Sequence, residues 1–63
     1  MFNFNGKVVL ITGASYGLGE QFAYAFAEAG ADLIVTARSG DLLEAVADTC
    51  REKGAKVSVV TGD

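Results

Sequence analysis

Three glycines that follow a short aliphatic run near the start of the chain constrain its fold more than any other feature. The run Val8–Ile11 predicts a β-strand, and Gly13, Gly17 and Gly19 follow it directly. Apolar residues at helical spacing then begin at Leu18. A helix that starts just after a glycine-rich turn presents unpartnered N–H groups and the positive end of its dipole. This arrangement predicts a binding site for the pyrophosphate of a dinucleotide.

Each of the three glycines has a predicted role in that turn. Gly13 lets the chain leave the strand in a tight turn, which a positive φ would allow. Gly17 has no Cβ atom, so a phosphate group can approach its backbone closely. Gly19 falls in the first helical turn, where we expect a side chain to hold the helix away from the sheet.

The other residues of the turn are weaker candidates for cofactor binding. Ser15 could contact a ribose or phosphate through its hydroxyl or its backbone, although an ordinary turn serine explains it nearly as well. Tyr16 is expected beside the pyrophosphate, where its backbone position matters more than its phenol. Leu18 completes the candidate set on the helix start.

The glycine spacing distinguishes between nucleotide-binding families. It reads Gly-x-x-x-Gly-x-Gly after Thr12, which differs from the widespread Gly-x-Gly-x-x-Gly fingerprint. A nucleoside-triphosphatase loop would need lysine where Glu20 follows Gly19. Together with the sequence of residues Gly6–Ser15, the motif resembles the oxidoreductase branch of the short-chain dehydrogenase/reductase family. The resemblance implies hydride transfer between a nicotinamide cofactor and a small-molecule carbonyl or alcohol substrate.

The rest of the chain predicts a β-α-β-α-β series. Strands are expected at Val8–Thr12, Leu33–Val35 and Val57–Thr61. The first helix is expected to end at Gly30, and the second to begin at a capping Asp41 and end at Gly54. The predicted buried stripe of the first helix is Leu18, Phe22, Ala25, Phe26 and Ala29. That of the second is Leu43, Val46, Ala47 and Cys50.

These elements predict an α/β fold with a Rossmann-like, doubly wound parallel sheet, in which the three strands stand in the order 3-2-1. Because parallel crossovers are right-handed, both helices should cover the same face of the sheet. The other face and the free edge of the first strand would then lack partners. We therefore expect residues 1–63 to be the N-terminal part of a single dinucleotide-binding domain whose remainder lies outside this chain.

The end of the second strand bears on the choice of cofactor. An NAD-binding unit usually has an acidic residue there for the ribose hydroxyls, but this chain has Ala37, followed by Arg38 and Ser39. An arginine at this place can bind a 2′-phosphate, so NADP is favoured over NAD, the alternative being a solvated loop arginine. In the family an acidic residue just past the third strand hydrogen-bonds adenine, which makes Asp63 a further candidate.

No catalytic residue is expected in this chain. The family's catalytic set contains a serine and a Tyr-x-x-x-Lys motif, but Tyr16 is followed four residues later by Glu20, and Tyr24 by Glu28. The absence of histidine excludes a histidine-containing triad from this chain. Cys50 has no partner for an internal disulfide.

Charge and hydropathy limit the partners. The net charge of −3 argues against nucleic acid and anionic membranes, and no metal site is expected. The longest purely aliphatic run is too short for a signal peptide or a membrane span, so we expect a reducing cytoplasmic setting. The full-length protein is expected to be a homo-oligomer. The alternatives to an oxidoreductase are a non-catalytic dinucleotide-binding module and a fold fragment without a function of its own.

Overall fold

The structure, a computed structural model that describes residues 3–38 and 40–62, has the predicted β-α-β-α-β order. Its elements are β1 (Val8–Thr12), α1 (Gly17–Glu28), β2 (Asp32–Ala37), α2 (Gly40–Glu52) and β3 (Val57–Thr61). The bounds of β1 and β3 are those expected from the sequence. The middle strand β2 is longer than its aliphatic centre, because Asp32 pairs with β1, Ala37 pairs with β3, and Thr36 pairs with both.

The three strands form one parallel sheet with β2 in the centre. Val35 stands between Ile11 of β1 and Val59 of β3, so the register aligns apolar residues across the sheet. The order is β1-β2-β3 rather than the predicted 3-2-1. The two orders count the strands from opposite edges, and an open sheet has no intrinsic first edge.

The core lies on one face of this sheet. Ile11, Leu33 and Val35 are buried there in one cluster with residues of both helices. On the opposite face Val8 and Leu10 are 64% and 63% exposed, because no other described element covers them. Both helices therefore pack on the same face, as the handedness of parallel crossovers predicts.

The second helix buries the predicted stripe but begins one residue earlier than predicted. Its fully or almost fully buried residues are Leu43, Val46, Ala47 and Cys50. Gly40 is already helical, so Asp41 lies in the first turn and is not the capping residue. A carboxylate in that turn still interacts favourably with the helix dipole. A Cβ atom on Gly40 would lie 3.3 Å from Cγ2 of Thr61, so a small residue suits this close approach to β3.

The first helix turns a different face to the core than its apolar spacing predicts. Its buried residues are Ala23 and Ala27, whereas Leu18 is 74% and Phe22 is 52% exposed. Alanine lets α1 approach the sheet closely, and the larger Tyr24 and Phe26 are partly buried at the margin of this core. The predicted C-terminal glycine is correct, since Gly30 directly follows the capping residue with φ of +97°.

Candidate functional site

The turn between β1 and α1 depends on two glycines in the left-handed region. Gly13 and Gly17 both have φ of +65°, a conformation that L-residues with a side chain rarely adopt. The N–H of Ala14 donates to the carbonyl oxygen of Thr36 at 3.2 Å, which fastens the turn to the end of β2. The positive φ expected at Gly13 is confirmed.

The N-terminus of α1 has no side-chain cap. Tyr16 is the N-cap residue with extended backbone (φ −163°, ψ 171°), and its side chain makes no capping hydrogen bond. The acid of the first turn, Glu20, instead accepts a hydrogen bond from the phenol of Tyr24 at 2.8 Å. The side chain of the N-cap residue therefore leaves the helix start uncapped, and the positive end of the helix dipole adjoins the turn.

Gly17 and Gly19 are needed for different reasons. A Cβ atom on Gly17 would meet no atom within 4 Å, so the space above it is open. A Cβ atom on Gly19 would overlap the backbone carbonyl of Gly13 and lie 3.1 Å from Cα of Ala14. The expected steric role of Gly19 therefore holds in a corrected form, since the side chain would strike the turn rather than the sheet.

An open groove of about 660 Å³ lies where the carboxyl ends of all three strands meet. Its lining comes from the turn after β1 and from the ends of β2 and β3. The lining residues are Thr12, Gly13, Ser15, Tyr16, Thr36, Ala37, Arg38, Val60, Thr61 and Gly62. The groove thus joins the glycine turn to the end of β2.

The predicted site residues fall into three groups. Gly13, Ser15, Tyr16 and Arg38 line the groove. The helix-start residues Gly17, Leu18 and Gly19 lie beside it, and Leu18 is mostly exposed. Ser39 and Asp63 lie outside the described residues.

Several residues of the groove were missed in the sequence, although a signal for them existed. Thr12 is the last residue of β1, Thr61 is the last residue of β3, and Thr36 is the last but one residue of β2. Parallel strands present their carboxyl ends at one edge of the sheet, where ligands bind. Gly62 also lines the groove, and its N–H donates to the carbonyl oxygen of Ala37 at 3.2 Å. That bond holds the end of β3 against the end of β2.

The groove carries positive charge in the part of the chain that the structure describes. Arg38 is the charged residue of its described lining, and no aspartate or glutamate lines it there. Ser15 is only 7% exposed, so it is packed into the turn, whereas Tyr16 is 72% exposed. The lining therefore suits a ligand with negative charge next to Arg38.

Two other reactive side chains lie away from the groove. Burial and the neighbouring carboxylate of Glu20 raise the pKa of the Tyr24 phenol. Burial also raises the pKa of the Cys50 thiol, which disfavours the reactive thiolate at neutral pH. Both residues lie between the two helices and do not line the groove.

Comparison with known proteins decides the family. Residues 7–63 match the sequence model described as "short chain dehydrogenase". The chain belongs to the short-chain dehydrogenase/reductase family. It is 55% identical over 60 residues to the 11-beta-hydroxysteroid dehydrogenase-like 4A protein of Arabidopsis thaliana, a match covering 94% of this chain and 20% of that protein.

Solved structures of this family have the same fold over the chain. L-sorbose reductase from Gluconobacter frateurii, complexed with NADPH and L-sorbose, superposes with a TM-score of 0.91 at 40% identity, over 97% of this chain and 24% of that one. NAD⁺-bound xylitol dehydrogenase superposes with a TM-score of 0.87 at 35% identity, over 90% and 22% of the two chains.

This short-chain dehydrogenase/reductase sequence spans only part of the length of its relatives. It matches 20% of the length of the first Arabidopsis relative and 17% of the 11-beta-hydroxysteroid dehydrogenase 1A protein of the same plant. Within residues 3–38 and 40–62, neither helix has the length and apolar character needed to cross a bilayer. The region that matches the family model contains all three strands, both helices and the groove.

Proposed function

We propose that this chain is the N-terminal cofactor-binding unit of an oxidoreductase that transfers a hydride between NADP(H) and a carbonyl or alcohol substrate. The observation that carries the proposal is the groove itself. It joins the glycine turn before α1 to Arg38 at the end of β2, and its described lining contains no carboxylate. Family membership supports the class of reaction, and the lining residues support the choice of cofactor.

The turn fits the pyrophosphate of the cofactor. The space above Gly17 is open, and the side chain of the N-cap residue Tyr16 does not cap the first N–H groups of α1. An anion in that place would accept hydrogen bonds from backbone donors at the positive end of the helix dipole. Gly13 would shape the turn, and Ser15 would offer a further polar contact at its base.

The end of β2 fits a 2′-phosphate better than a ribose with two free hydroxyls. Ala37 supplies no carboxylate to accept the hydroxyls, and Arg38 supplies a cation beside the groove. An arginine can bind a phosphate through two charge-assisted hydrogen bonds. The solved relatives include an NADPH complex and an NAD⁺ complex, so the preference proposed here depends on these two residues.

The nicotinamide would supply the hydride chemistry, and this chain would bind and orient the adenosine half of the cofactor. The residues that exchange a proton with the substrate would come from the remainder of the protein. Cofactor contacts by Ser39 and Asp63 remain predictions, as do the homo-oligomeric state and the cytoplasmic location.

Titration of the full-length protein with NADPH tests the proposal. Bound NADPH should change its fluorescence and saturate with one cofactor per groove, and the protein should oxidise NADPH in the presence of a carbonyl substrate. Binding without turnover, whether of carbonyls with NADPH or of alcohols with NADP⁺, would favour the non-catalytic module. Failure to bind either NADPH or NADH would contradict the proposal.

A further inference from the structure

A carboxylate lies in the first turn of α1, next to the backbone donors proposed to bind the pyrophosphate. It belongs to Glu20, which follows the N-cap residue Tyr16 by four positions. In a capping box, an acidic side chain of the first turn reaches back three residues and accepts a hydrogen bond from a free N–H group. At that spacing Glu20 would reach the N–H of Gly17. Such a cap would compete with a bound anion for the same donors.

The structure gives this carboxylate a different partner. Oε2 of Glu20 accepts a hydrogen bond from the phenol of Tyr24 at 2.8 Å. Tyr24 lies one helical turn further from the glycine turn, so the bond engages the carboxylate on the side away from the proposed anion site. Glu20 and Tyr24 are both only partly exposed, which favours this bond over hydration of the two groups.

Tyr24 itself is held by the second helix. Its phenol lies beside Thr49 of α2, and one turn later Glu28 accepts a hydrogen bond from Nζ of Lys53 at 2.8 Å. Both pairs join residues 25 positions apart, so the two helices run side by side in one register here. Burial and the carboxylate of Glu20 raise the pKa of the phenol, which therefore stays protonated and able to donate at neutral pH.

The position of a negative charge in the first turn matters for an anionic ligand. The dipole of α1 attracts a phosphate and the Glu20 carboxylate alike, and its effect is concentrated within the first turn. The described lining of the groove contains no carboxylate, so a free Glu20 side chain would bring to the helix start a charge that the groove otherwise lacks. Two negative groups at the same helix end repel each other.

We propose that Tyr24 is a positioning residue for cofactor binding, which holds the Glu20 carboxylate away from the donors at the start of α1. The inference rests on the proposed function, because it needs an anionic cofactor at this helix start. Without the phenol hydroxyl, Glu20 is free to accept a hydrogen bond from Gly17, and its charge approaches the pyrophosphate. NADPH and NADH share the pyrophosphate, so the effect is the same for both cofactors.

A double-mutant cycle in the full-length protein tests this role. Tyr24→Phe removes the hydroxyl and keeps the ring, and the affinities for NADPH and NADH, measured by fluorescence titration, should both fall about two- to fivefold. Tyr24→Phe combined with Glu20→Ala should bind NADPH as well as Glu20→Ala alone, because no carboxylate is left to position. Thr49→Val is the matched control, since it removes the other hydroxyl beside the phenol and leaves the bond to Glu20 in place.

The outcomes separate an electrostatic role from a packing role. A loss in Tyr24→Phe that shrinks at high salt and vanishes in the double variant supports the proposal. A loss that persists in the double variant, or an equal loss in Thr49→Val, would overturn it in favour of helix packing. Unchanged affinity in Tyr24→Phe, or a loss in Glu20→Ala alone, would also overturn it while leaving the proposed function intact. A parent protein that binds neither NADPH nor NADH would overturn both.

Discussion

The backbone carbonyl of Gly13 occupies the space that a Cβ atom on Gly19 would need. The two residues belong to one motif, and the contact explains why the third glycine of the motif is sterically required. A side chain there would force α1 away from the turn that the groove depends on. Because the collision is with backbone, rotation of a neighbouring side chain cannot relieve it.

We expect Gly19→Ala to disrupt cofactor binding in the full-length protein. The added methyl group would displace the start of α1 from Gly13 and misplace the N–H groups proposed to bind the pyrophosphate. Affinity for NADPH, measured by fluorescence titration, should fall by about tenfold or more, since each 1.4 kcal/mol corresponds to a factor of ten. Unchanged affinity would show that the turn tolerates the displacement or does not bind the cofactor.

Gly17→Ala should weaken cofactor binding for a conformational reason, and the chain offers a matched control. Gly17 and Gly54 both have positive φ, and a Cβ atom on either would meet nothing within 4 Å. Both substitutions should therefore destabilise the fold by about 1 kcal/mol through backbone strain. NADPH titration and thermal unfolding of the two variants separate the effects. Only Gly17→Ala should lower the affinity for NADPH. Equal losses of NADPH affinity in both variants would contradict a specific role for Gly17.

Tyr16→Phe should have a mild effect on cofactor binding. Tyr16 lines the groove and is the N-cap residue of α1. Its extended backbone begins the helix, and its side chain makes no capping hydrogen bond. The affinity of the Tyr16→Phe variant for NADPH should stay within about threefold of that of the parent, a difference below 1 kcal/mol. A much larger loss would show that the phenol itself contacts the cofactor.

Adjacent leucines on α2 should differ sharply in their contribution to stability. Leu43 is fully buried, whereas Leu42 is 52% exposed. Leu43→Ala should lower the free energy of unfolding by about 2–5 kcal/mol because it leaves a cavity. Leu42→Ala should lower it by less than about 1 kcal/mol, as expected for a surface change. Urea denaturation of the full-length variants measures both, and similar losses would mean that α2 is rotated relative to the sheet.

The isolated chain of residues 1–63 should not be a stable monomer. Val8, Leu10 and Val60 are more than half exposed on the uncovered sheet face, and β1 has a free edge in the described chain. Exposed apolar strands and edges promote association. Thermal unfolding followed by circular dichroism should show no cooperative transition from a monodisperse monomer. Such a transition would demonstrate that this unit folds alone.

The sequence predicted the elements and the location of the groove better than the packing of the first helix. The aliphatic runs predicted the first and last residues of β1 and β3 correctly, and the predicted apolar stripe of α2 is buried. The stripe of α1 was assigned to Leu18, Phe22, Ala25, Phe26 and Ala29, but close approach to the sheet buries Ala23 and Ala27 instead. Phe26 is partly buried and packs against the core. Spacing alone does not reveal how near two elements lie, and this distance decides which face is buried.

The groove was only partly predictable for a related reason. The motif glycines and Arg38 stood out in the sequence, whereas Thr36 and Thr61 belong to no motif, and Thr12 was noted only as the residue before the first motif glycine. Their contribution depends on the register that brings Thr12 and Thr36 side by side. Strand ends in a parallel sheet are nevertheless a general signal for ligand contact.

The preference for NADP(H) over NAD(H) depends on two neighbouring residues. Ala37 lacks the carboxylate that would bind the ribose hydroxyls and repel a phosphate. Arg38 places a cation at the groove. A charge-assisted contact of this kind contributes about 1.5–3 kcal/mol, or roughly ten- to a hundredfold in affinity. The double change Ala37→Asp with Arg38→Leu should therefore shift preference towards NAD(H).

The most direct test is the ratio of kcat/KM for NADP(H) to that for NAD(H) in the full-length enzyme, measured beside the double variant. The parent should prefer NADP(H) by roughly ten- to a hundredfold, and the variant should lose or reverse that preference. A parent enzyme that uses NAD(H) equally well or better would show that Arg38 is only a surface loop residue and would contradict the account.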